Sequence, residues 1–157
     1  MIDIKYYFQF WERLAKSVTS TPRIGSVSLV GSPQDVARQL SALKATDYPA
    51  LFVAIPEITA VGLSIDDTVD VNQCLLFLLD RYDPQRKDKN LAALMQQLQL
   101  PLEGLRNKLF NEASVPCSPM HTLDVSSISI MAVTDQYANT AGWSMAFNFE
   151  AGFDAVL

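Results

Sequence analysis

The run "NQCLLFLLDRYD", residues 72–83, constrains this chain more than any other stretch. Its six consecutive apolar residues, 74–79, offer no polar side to water. Period-two alternation sends Leu75, Phe77 and Leu79 one way and Cys74, Leu76 and Leu78 the other. A strand that is apolar on both sides has to be covered on both faces, so the fold needs an inner strand between two layers. The run is too short to cross a membrane, which takes roughly 20 residues.

Other segments supply its neighbours. "YPALFVAIPE", residues 48–57, is apolar on both sides and bracketed by prolines, and predicts a second inner strand. "GSVSLVG", residues 25–31, alternates Val27 and Leu29 with serines and predicts a short strand. "ITAVGLSIDDTVDV", residues 58–71, reads as a looser strand or loop ending in an acidic turn at Asp66, Asp67 and Asp70. Three carboxylates so close suggest calcium, but the spacing and central glycine of an EF-hand loop are missing, and a solvated turn explains them. Near the end, residues 127–132 and 143–150 each alternate with period two. They are joined by a loop containing Asn139 and Gly142, and predict a β-hairpin.

Three segments have helical spacing. In residues 3–18, Ile4, Tyr7, Phe8, Trp11, Leu14, Ala15 and Val18 share a face, with Asp3 as N-cap. The crowding of Tyr6, Tyr7, Phe8, Phe10 and Trp11 fits packing against a sheet, or a helix that also docks on a neighbouring subunit. "SPQDVARQLSALKA" begins with Ser32 as N-cap and Pro33 in the first turn, and buries Val36, Leu40 and Leu43. Leucines from Leu91 to Leu109 form a long pattern interrupted by Pro101, which predicts two helices meeting at Leu100 or one that kinks there. The expected fold is one α+β domain over residues 1–157. It has a single mostly antiparallel or mixed sheet, helices packed on one face and a C-terminal β-hairpin.

Chemistry is hard to find. The single histidine, His121, and Cys117 lie in a proline-broken stretch, without a GxSxG elbow or a cysteine-protease motif around them. Two separated cysteines and one histidine do not make a four-ligand zinc site. None of the six glycines forms a phosphate-binding fingerprint. "VGSPQD" places a strand end against a helix N-terminus, but helix capping accounts for Ser32 and Pro33. Asp124, Asp135 and Glu150 fall where loops and edges ordinarily put acids. The reading is therefore of a non-enzyme with no cofactor and no metal.

Composition points to partners. Hydrophobic residues make up 49% and charged residues only 18%, below the usual quarter, so apolar surface is expected to meet another chain. The net charge of -5 repels a phosphate backbone and argues against nucleic-acid recognition. The N-terminal stretch is interrupted by Asp3, Lys5 and Glu12 and does not read as a signal peptide, so a cytoplasmic site of synthesis is expected.

The segments "KYYFQFWERLAK", "YPALFVAIPE", "NQCLLFLLDRYD" and "YANTAGWSMAFNFEAGFD" together resemble the tail-terminator, or cap, proteins of tailed phages and phage-tail-like contractile injection systems. The resemblance covers nearly the whole chain as an order of elements. It implies a small α+β subunit without catalytic residues, assembled as a ring of commonly six copies, that stops the growth of tail tube and sheath. The implied partners are copies of itself and the tube or sheath proteins, with no membrane; the implied location is a virion tail or injection particle assembled in the cytoplasm. The expected contact residues are Asp66, Asp67 and Asp70 in the acidic turn, and Arg81, Arg86 and Lys87 in the charged turn. Asn139 and Trp143 are expected at the hairpin tip. Two other readings compete: an adaptor or assembly chaperone gripping a helix in the N-terminal aromatic face, and a small hydrolase using His121 and Cys117.

Overall fold

The computed structural model describes residues 2–85 and 90–150. Its elements follow in the order α1 (Ile4–Ser17), β1 (Ser26–Val30), α2 (Pro33–Leu40), β2 (Ala50–Ala54), β3 (Glu57–Val61), β4 (Val69–Arg81), α3 (Leu91–Ala113), β5 (Leu123–Val133) and β6 (Thr140–Glu150). Six strands form one mixed sheet in the order β1-β2-β4-β6-β5, with β3 also paired to β4. Only β1 and β2 run parallel, joined through α2; every other pairing is antiparallel. The fold is α+β, as the sequence pattern requires.

The apolar run lies where its two-sided character demands. β4 is flanked by β2 on one side and by β6 along nearly its whole length on the other. The strand is longer than the sequence suggests, because the loose stretch before it folds as a hairpin, β3–β4. β2 and β3 run successively along the same edge of β4. Between Val53↔Leu76 and Glu57↔Gln73, residues 54–56 stand opposite only 74 and 75, so one extra residue bulges out beside Pro56. A proline cannot donate to the ladder, and a bulge at an edge is where it is tolerated.

Two cores share the sheet. On the first face, α1 and α3 cover Leu51 and Val53 of β2, Cys74, Leu76 and Leu78 of β4, and Met145, Phe147 and Phe149 of β6. Asp3 starts α1 as expected, accepting from the Tyr6 amide at 2.9 Å. Tyr7, Phe10 and Trp11 are buried, with Trp11 5.9 Å from Phe147 and Tyr7 stacked on Phe149 at 6.5 Å, ring centre to ring centre. Tyr7, Phe10 and Trp11 thus serve core packing, each contributing about 1.5–3 kcal/mol by leaving water, while Tyr6 is exposed. The expected groove for a partner helix is filled by this chain's own sheet.

Pro101 does not divide α3, which runs unbroken from Leu91 to Ala113, with Asn90 capping the Ala92 amide at 2.9 Å. Pro101, Leu102, Leu105 and Leu109 face the first core; the burial of this face offsets the hydrogen bond the proline removes. Arg13 and Glu112 pair at 3.4 Å between α1 and α3.

The second face has its own, smaller core. Val36 of α2 packs with Val30, Phe52, Phe77, Leu79, Val133 and Tyr137. The two long helices therefore share one face as expected, while the short α2 stands on the other. The reason is the parallel β1–α2–β2 crossover, which places its helix on a face of the sheet rather than at its edge.

Gly142 belongs to β6 rather than to the loop before it. A Cβ there would collide with the carbonyl of Leu78 and lie 3.0 Å from the Leu79 Cα. The close approach of two backbones, β6 against β4, excludes any side chain at this position.

The outer strand β5 bulges between Asp124 and Ser129, where four residues stand opposite Phe147. The Asp124 carboxylate accepts from the Ser126 amide at 3.0 Å and hydroxyl at 2.6 Å, and the Asn148 amide donates to Ser127 Oγ at 2.8 Å. Asp124 thus builds a local turn that interrupts an open edge.

Candidate functional site

A cleft of about 610 Å³ opens at the C-terminal end of β4. Its walls come from three parts of the chain: the end of α2 and the residues after it (Leu40, Leu43, Tyr48), the exit of β4 (Arg81, Tyr82, Asp83), and the β5–β6 connection (Tyr137 to Thr140). The β4–β6 ladder sets the second and third beside each other, pairing Arg81 with Thr140. The Tyr82 amide then donates to the Asn139 carbonyl at 2.9 Å, continuing the ladder by one rung. Asn139 holds φ at 55°, a left-handed conformation that asparagine accepts more readily than most residues.

Aromatic rings and the Arg81 guanidinium line the cleft. The Arg81 guanidinium lies over the Tyr48 ring, 4.9 Å from its centre. The Tyr137 hydroxyl donates to the Pro33 carbonyl at 2.8 Å, which ties the connection to the start of α2. Its ring meets Phe77 edge-on at 5.9 Å, and burial pushes the Tyr137 hydroxyl pKa up. The walls offer stacking and apolar contact around a guanidinium.

Two of the sequence-predicted residues, Arg81 and Asn139, drawn from different segments, meet in this cleft. Asp66 and Asp67 lie elsewhere, in a short turn at the tip of the β3–β4 hairpin, and Asp70 follows in β4 opposite Ala60. Asp67 accepts from the Ser64 hydroxyl at 3.3 Å, and Thr68 Oγ1 donates to the Ser64 carbonyl at 2.8 Å. These bonds close the turn locally. Among the described residues, no group of three or more His, Cys, Asp or Glu side chains is placed to hold a metal. Arg86 and Lys87 lie outside the described residues. Trp143 is not at a tip: it sits inside β6 facing the first core, its indole N–H donating to the Met95 carbonyl at 2.9 Å.

The hydrolase pair does not form a site. His121 and Cys117 are exposed, and neither lines this cleft or a smaller one of about 360 Å³ beside the start of α2. His121 Nδ1 is 3.2 Å from the Ala113 carbonyl at the end of α3. At the smaller cleft, Ser32 makes no capping bond through its side chain; instead Asp35 accepts from the Gly31 amide at 3.2 Å. A carboxylate therefore stands where an anion at this helix start would have to approach. The other thiol, Cys74, is buried against Tyr7, with Sγ 2.6 Å from the hydroxyl. Burial pushes it up to about 12, against a smaller lowering by the Tyr7 bond, and Tyr7 is raised as well. Both stay protonated and structural.

What the sequence reading missed is the hairpin itself. β3 is exposed along its whole length. Leu63 and Ile65 at the tip are almost fully exposed, at 103% and 95%, and Ile58, Val61 and Val69 on the hairpin are also exposed. The signal was present in "AVGLSIDDTV", where apolar residues alternate irregularly into an acidic turn. Among the described residues, no helix is long and apolar enough to cross a membrane. Comparison with protein-family models finds no match, and neither does comparison with curated proteins.

Proposed function

We propose that this chain is a non-catalytic assembly subunit. Its copies join in a ring, commonly of six, that caps the tail tube or sheath of a phage-like particle or contractile injection system assembled in the cytoplasm. The observation that carries the assembly reading is the β3–β4 hairpin, which holds Leu63 and Ile65 out in water beyond the packed body. Exposing such side chains forfeits about 1.5–3 kcal/mol each relative to burial, and a contiguous apolar projection marks a contact surface. The tail-cap assignment is supported by the resemblance in element order and by the α+β fold.

Light scattering on a sizing column tests the assembly reading. The expected result is a discrete multiple of the chain mass; a monomer throughout the micromolar range overturns it. Imaging of particles produced without the chain tests the cap assignment, with tubes of uncontrolled length expected and tubes of normal length contradicting it.

A further inference from the structure

We propose that the open outer edge of β3 takes an extended strand of another protein, one that carries lysine or arginine among apolar residues. The inference rests on the assembly reading above only in treating the hairpin as a contact surface, and it names the chemistry of what binds there. One bond fixes the backbone directions. The Tyr82 amide donates to the Asn139 carbonyl, so even-numbered residues of β4 turn their N–H and C=O toward β6, and odd-numbered ones toward β2 and β3. Glu57, Thr59 and Val61 stand opposite residues 73, 71 and 69 and take those bonds. Ile58 and Ala60 therefore point both backbone groups away from the sheet. Among the described residues, nothing bonds to those groups.

The other sheet edges are blunted, as edges usually are. On β1 the Leu29 carbonyl accepts from Gln39 Nε2 at 3.0 Å, and β5 is broken by its bulge between Asp124 and Ser129. β3 has neither device, and it is exposed throughout. An added strand gains main-chain bonds at Ile58 and Ala60. It also covers Ile58 on one side of the ribbon and the opposed Val61 and Val69 on the other, all three exposed. Charge then selects the strand. Residues 57–73 hold four acids, Glu57, Asp66, Asp67 and Asp70, and no lysine or arginine. A second copy pairing here brings the same four acids to the contact, and like charges across a strand pair are destabilising. A basic strand turns the same charges into attraction.

The probe is a capped synthetic peptide of about eight residues in which valine alternates with lysine, long enough to span β3. Its binding to the full chain is read by fluorescence anisotropy. Binding is expected, and it should weaken about tenfold when glutamate replaces lysine in the peptide, or when the peptide amides are N-methylated and cannot donate. Ala60→Pro removes an N–H that faces away from the β4 ladder, so the thermal melt should stay close to that of the wild type while peptide binding falls about tenfold. Glu57→Lys with Asp70→Lys should narrow the gap between the lysine and glutamate peptides. Absent binding, equal affinity for the two peptides, or binding untouched by Ala60→Pro overturns the proposal. If Ala60→Pro does not fold, the methylated peptide decides: undiminished binding overturns the proposal. A folded Ala60→Pro chain that loses the wild-type oligomer puts a second copy on this edge and overturns it as well. An intact oligomer that ignores the peptide removes this site and leaves the assembly reading standing, whereas a monomeric wild type that binds the peptide removes the ring and keeps the site.

Discussion

The two halves of β4 differ sharply although they belong to one continuous strand. Residues 74–79 are flanked by β2 and β6 and roofed by helices, and nearly all are buried. Residues 69–73 pair with β3 and the last residues of β6, and Val69 and Gln73 are exposed. Neither helix of the first face nor α2 reaches over β3. Hydrophobicity therefore does not decide burial by itself; what decides is whether another element arrives to cover the surface. The body half is covered within the chain, and much of the hairpin half stays exposed.

Substitutions in the two halves measure that contrast directly. The largest effect is expected at Leu78, fully buried in the first core. Leu78→Ala should cost about 2–5 kcal/mol in urea unfolding, from lost transfer energy and the cavity left behind. A loss under half a kcal/mol would show that the body half is loosely packed, and the contrast would fail. Gly142→Ala comes next, at about 1–3 kcal/mol, because the added carbon meets backbone that cannot rotate away.

Alkaline pH probes the same core through Cys74 and Tyr7. Their pKa values are raised in the folded chain, that of Cys74 from 9.0 to about 12. The stability tied to each proton is fully present below the unfolded value. For Cys74 it is lost as pH rises from 9 to 12, since the unfolded chain releases the proton first. The slope is about 1.4 kcal/mol per pH unit for each such proton. Unfolding measured from pH 8 to 11 should show this fall, and Cys74→Ala should flatten it; an unchanged slope in that variant would remove the thiol from the account.

The smallest effect on the single chain is expected at the hairpin. Leu63→Ser should change the unfolding free energy of the monomer by no more than ~0.5 kcal/mol, as is usual for exposed positions. A larger loss would mean that the tip supports its own fold.

Much of this division was legible in the residues. The two-sided apolar run of β4, the aromatic stripe of α1, and Asp3 as its cap follow from period and side-chain chemistry, which act over a few neighbouring residues. The α+β class follows from the same local patterns. Pro101 was ambiguous because a proline's local penalty is known, but the packing that offsets it comes from another part of the chain. Ser32 is the N-cap before Pro33, as its position suggested, but its side chain makes no capping bond, and Asp35 accepts from the Gly31 amide instead. Trp143 was read as a free tip because the sequence cannot show that Met95, 48 positions away, waits to accept its indole proton.

By itself, then, the sequence determined most of the strands and helices and which sides of them avoid water, the β3–β4 hairpin excepted. Tertiary structure alone decided which apolar residues found cover. The cleft needs Tyr48, Arg81 and Asn139 to meet from distant segments, and the exposed tip needs every helix to pack elsewhere. Periodicity reports the preference of each side chain for burial, whereas the partner that satisfies it is set by how the whole sheet is ordered.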